Sequence, residues 1–118
     1  MQIPDSIRIG SIDYEVVKSP QALLYGGQQC YGLCDFENSQ IMIDMEMTSK
    51  QRLEQTFLHE ICHAMLYSRS LKEATNDENL VDELAWALHQ LIKDNPQLFL
   101  DEVTEEAEER EKDDAVTD

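Results

Sequence analysis

The sequence predicts an α+β domain, a small antiparallel or mixed sheet packed on a pair of helices. Three observations predict it. Strand-like runs come first, over residues 7–17 and 29–46, two stretches with apolar residues at helical spacing follow within residues 51–93, and no internal repeat interrupts that order. With 118 residues and 42% hydrophobic content, the chain can build one modest core but not two.

The elements follow in order. Ile7-Arg8-Ile9 and Ile12 to Val17 flank Gly10-Ser11, the pattern of a β-hairpin that Ser19-Pro20 ends. Residues 21–28 are expected to form one helical turn closed by Gly26-Gly27. Cys30 to Phe36 and Gln40 to Met45 read as strands around the turn Glu37-Asn38-Ser39, giving a second hairpin over residues 29–46. Thr48-Ser49 is a capping pair for a helix to about Arg69, with Leu53, Phe57, Leu58, Ile61, Met65 and Leu66 as its apolar positions. A polar turn over Ser70 to Asp77 leads into a second helix ending near Lys93. Its apolar positions are Leu80, Val81, Leu84, Ala85, Leu88, Leu91 and Ile92. Asn95-Pro96 stops it, and Gln97 to Leu100 is an apolar coda expected to pack back on the domain.

Charge divides the chain again. Of the net −16, residues 101–118 carry −8, from ten acidic and two basic side chains. The domain is therefore expected over residues 1–100 and a disordered acidic tail over 101–118, since the tail buries too little apolar surface to offset its ordering entropy. An acidic protein repels phosphate backbones, which argues against direct nucleic-acid binding. No stretch is long and apolar enough to span a membrane, and no signal-peptide core is present. Three cysteines are an odd number, so a reducing, cytoplasmic setting is expected.

The first helix carries His59-Glu60-Ile61-Cys62-His63. Histidines at i and i+4 share one helix face, so both rings can address one cation, here zinc. Glu60 lies about 100° round the helix from His59, beside the metal rather than on it, as a general base requires. Catalytic zinc needs a third protein ligand and an open position. If the inter-helix turn centres near residue 70 or 71, His63 faces Glu78 and His59 faces Asp82. Glu78 is then the third ligand, with Glu83 as its rival after a one-residue register change. Asp82 would accept a hydrogen bond from the non-metal nitrogen of His59. Cys30, Cys34 and Cys62 read as structural or buried thiols and Trp86 as packing. His89 and Tyr67 read as ordinary side chains, with an oxyanion-stabilising role as the alternative for each.

These residues resemble the ImmA/IrrE family of compact zinc metallopeptidases of phages and mobile elements. The likeness covers about residues 30–92: Tyr31 to Phe36, Ile41-Met42-Ile43, Thr56 to Ala64, and Glu78-Asn79-Leu80-Val81-Asp82-Glu83-Leu84-Ala85. The resemblance implies a minimal zincin-like fold, a sheet packed on a helical hairpin carrying the His-Glu-x-x-His motif, and it too implies Glu78 as ligand. It further implies an edge strand near Ile41 to Asp44 along the cleft, able to pair with an extended substrate, and a repressor-type regulator as that substrate. The expected activity is thus zinc-dependent hydrolysis of a protein or peptide with Glu60 as base. The alternatives are a non-catalytic zincin-like module that recognises a protein partner, and a tail that itself docks a basic partner.

Overall fold

The structure is a computed structural model that describes residues 1–47 and 49–99. The expected disorder of residues 101–118 therefore lies outside the described residues, as do Thr48 and Leu100. The described part is α+β, with β1 (Ser6–Ile9), β2 (Ile12–Ser19), β3 (Leu23–Tyr25), β4 (Gln28–Cys30), β5 (Gly32–Asp35), β6 (Gln40–Asp44), α1 (Lys50–Ser68), α2 (Lys72–Thr75) and α3 (Glu78–Asp94).

The sheet is mixed, in the order β1-β2-β6-β5. Gly10, at φ 62°, opens the two-residue turn that folds β1 antiparallel onto β2. The second half of β2 pairs in parallel with β6, and β5 returns antiparallel along the far side of β6. Alternation then does its work: Tyr14 and Val16 on β2 and Ile41 and Ile43 on β6 all turn to one face.

Two expectations are corrected here. Residues 21–28 form no helical turn. They contribute a separate hairpin, β3 paired with β4, in which Tyr25 faces Gln28 across Gly26 and Gly27. Both glycines have positive φ, 59° and 79°, the backbone that a two-residue hairpin turn demands and that a helix closure does not use twice running. The strand Ile41 to Asp44 is not an edge either, because β6 is bonded on both sides. The edge is β5. Asp44 N–H donates to the Tyr31 carbonyl, so by antiparallel alternation Leu33 bonds toward β6, whereas the peptide groups of Gly32 and Cys34 point to the open side.

Helix α1 starts where Ser49 accepts from Arg52 N–H at 3.3 Å, and α3 where Asp77 accepts from Leu80 N–H at 3.1 Å. The turn expected over Ser70 to Asp77 contains the short α2. His63 meets Glu78, His59 meets Asp82 and Glu54 meets His89, so α1 and α3 run antiparallel. Phe57 and Ala64 of α1 join the sheet core, while Leu58 and Cys62 pack on Val81 and Ala85 of α3. Because α1 covers only one side of α3, Leu80, Leu84 and Leu91 stay exposed despite their helical spacing. Leu98 and Phe99 are also exposed, so that part of the coda does not pack back.

Candidate metal centre

Packing on two sides decides where the polar residues of α1 can go. At about 100° per residue, His59 and His63 fall at one seam between the sheet-facing and α3-facing sides, and Glu54 falls near the opposite seam. The first seam opens into a cavity of about 390 Å³ that His59, Glu60, His63 and Glu78 line.

Both imidazoles are oriented from behind. Asp82 Oδ1 lies 3.2 Å from Nδ1 of His59, and an ionised carboxylate can only accept, so the His59 proton sits on Nδ1. Gln55 donates to the same Asp82 oxygen at 2.8 Å, fixing the carboxylate. The Thr75 hydroxyl donates to the His63 carbonyl oxygen at 3.2 Å. Its lone pair therefore faces Nδ1 of His63, 3.0 Å away, and His63 also carries its proton on Nδ1. Burial lowers the pKa of His63, against the opposing charge of Glu78.

Both Nε2 atoms are left with lone pairs, and they stand 3.2 Å apart. Glu78 completes the group, with Oε2 3.1 Å from Nε2 of His59 and Oε1 3.1 Å from Nε2 of His63. Lone pairs converging this closely repel unless a positive charge sits among them. Three ligand atoms within 4.8 Å of one another can hold a metal ion. Ligand atoms about 2.05 Å from a tetrahedral zinc lie about 3.3 Å apart, so the donor set fits that ion with little movement.

Glu60 is buried on the cavity wall, and its carboxyl is pushed up to about 8, by burial first and by the negative charge of Glu78 second. It fits there because residue 32 is a glycine. A Cβ on Gly32 would come within 2.8 Å of Thr56 Cγ2 and 2.9 Å of Glu60 Oε2. Burial and, next, the charge of Glu60 push the Cys34 thiol up to about 12 and the Cys62 thiol up to about 11.

Every site residue read from the sequence is thus accounted for. His59, His63 and Glu78 converge, Glu60 and Asp82 adjoin them, and Glu83 is exposed and outside the ligand group. His89 is away from the cavity, bonded to Glu54 at 3.1 Å, and Tyr67 stacks on Phe36 at 4.0 Å between centroids. Trp86, edge-on to His89, remains partly exposed. Sequence reasoning missed Gln55, Thr75 and Gly32. Thr75 lies in the polar turn, where nothing local distinguishes it from a solvated hydroxyl. Compared with protein-family models, curated proteins and solved structures, the chain matches none, and the reading of this site rests on its own residues.

Proposed function

We infer that the protein is a zinc-dependent endopeptidase with a zincin-like fold, as its resemblance to the ImmA/IrrE family suggests. The observation that carries this is the convergence of three lone-pair donors, His59, His63 and Glu78, at the mouth of a cavity that also holds a buried glutamate. When bound, zinc supplies Lewis acidity and brings the pKa of a coordinated water near neutrality. The chain supplies the rest. Asp82 and Thr75 hold the two rings with their Nε2 atoms directed at the ligand position. Placed beside the ligand group, Glu60 would accept the proton of the attacking water and deliver it to the leaving amine. The free edge of β5 offers the peptide groups of Gly32 and Cys34 to an extended substrate, which would add as a further strand beside the cavity. Such a substrate is a protein or peptide segment inside the cell, a repressor-type regulator being the class the family resemblance suggests.

The test is Glu60→Gln. Zinc content measured by elemental analysis should stay at one per chain, while peptide cleavage falls by about 10²–10⁴-fold. Equal function in the two forms would instead favour a non-catalytic module that recognises a protein partner.

A further inference from the structure

Resting on that peptidase reading, we propose that Tyr25, near the tip of the β3–β4 hairpin, is the specificity-determining residue of the cavity, selecting an extended peptide that places a large neutral apolar side chain against its ring. The hairpin pairs only with itself, as a two-stranded sheet apart from the main one. Its tip stands in open space: a Cβ on Gly26 or Gly27 would meet nothing within 4 Å. Just before that tip, Leu24 is 70% exposed and Tyr25 is 74% exposed, the most exposed large apolar residues among those described. Tyr25 nevertheless lines the same cavity as the metal-ligand group and Glu60. An aromatic ring held there in water gains burial only when another apolar group enters beside it.

The other possible sources of selectivity are weaker. Main-chain pairing along β5 is available to any sequence, so it fixes direction and not identity. Phe36, also on the wall, already has one ring face covered by Tyr67. Charge narrows the choice. Among the described lining residues the cavity has two carboxylates, Glu60 and Glu78, and no lysine or arginine. An acidic side chain set against Tyr25 would therefore find no cationic side chain to pair with. Where the site holds a divalent cation, Glu78 serves that cation, and little is left on the wall to recompense a lysine or arginine for its lost hydration. A neutral apolar or aromatic side chain is what both the ring and the wall accept.

The experiment measures binding of a positional-scanning peptide library to zinc-loaded Glu60→Gln protein, with and without Tyr25→Ala or Tyr25→Phe added. Tyr25 lies outside the core, so equal zinc content and melting behaviour serve as the folding control. The expected result is enrichment of large apolar residues at one position by about tenfold over acidic or small ones. Tyr25→Phe should keep that preference and Tyr25→Ala should reduce it to within about threefold. Enrichment of charged residues, an unchanged preference in Tyr25→Ala, or no measurable peptide binding would each overturn the assignment of Tyr25. Incubating the bound peptides with zinc-loaded wild type separates the two ideas. Binding with the Tyr25-dependent preference but without cleavage defeats the peptidase reading alone, and cleavage without the preference defeats the role of Tyr25 alone.

Discussion

At the scale of single residues, the centre is organised by hydrogen bonds that settle which nitrogen of each histidine is free. Asp82 and Thr75 do this from opposite sides of the ligand group, one on α3 and one on α2. Ligand identity can be checked directly. Glu78→Ala should lose zinc on dialysis and Glu83→Ala should retain it, as read by metal analysis; the reverse pattern would show that the true register differs by one residue. Asp82→Ala keeps all three ligands but frees the His59 ring to turn, and its zinc affinity should fall by about 10–100-fold in a competition assay with a chromophoric chelator. His59, His63 and Glu60 were legible as a five-residue motif, because helical periodicity alone puts them on neighbouring faces. Thr75 was not, since its contact with His63 depends on how α2 is folded against α1.

At the scale of elements, the most exacting fit is between β5 and α1. The strand passes so close to the helix that a Cβ at position 32 would force the side chain of Thr56 or Glu60 to shift. Gly32→Ala should destabilise the protein by about 1–3 kcal/mol in urea unfolding, by overpacking against Thr56 and Glu60. It should also lower turnover more than zinc binding, because the atom displaced belongs to Glu60 and not to a ligand. A fully stable Gly32→Ala protein would mean that the two elements are less tightly packed than described. The sequence announced both elements, yet not this contact: a glycine in a strand reads equally well as a bulge, a turn or a close approach. The exposed leucines of α3 teach the converse. Leu80, Leu84 and Leu91 share the spacing of core residues, and only the placement of α1 decides that Val81 and Ala85 are the ones covered.

At the scale of the whole molecule, a second polar cluster ties the helices together on the side away from the cavity. Glu54 is 1% exposed and meets His89 at 3.1 Å, the N-terminal ammonium at 3.1 Å and Lys93 at 3.5 Å. Burial is the largest influence on its carboxyl and pushes it up. The hydrogen bond from His89 and the charges of the terminal amine and Lys93 together outweigh burial and hold it at about 2, below the ordinary 4.5. A carboxyl depressed on folding stabilises the fold above its unfolded value, and that stabilisation fades as pH falls from about 4.5 toward 2. Glu54→Gln should accordingly cost about 3 kcal/mol near neutrality. Its deficit against wild type should shrink over that acid window, measured by urea unfolding of both proteins at matched pH. A constant deficit across the window would rule out the ionised cluster as its source.

By itself the sequence determined what short-range periodicity can carry. It specified the strands-then-helices order, the cap at Ser49, the helical face that pairs His59 with His63, and, through the mirror relation of an antiparallel helix pair, the facing of Glu78 and Asp82. Only the tertiary structure decided which strand is the edge, because β6 gains its second neighbour from the parallel pairing with β2 across more than twenty residues. It likewise decided that residues 23–30 form a hairpin over the cavity, that Glu54 and His89 meet, and that Thr75 orients His63. Those contacts depend on chain segments brought together by burial of the common core, and no local pattern of residues encodes which distant partner will arrive.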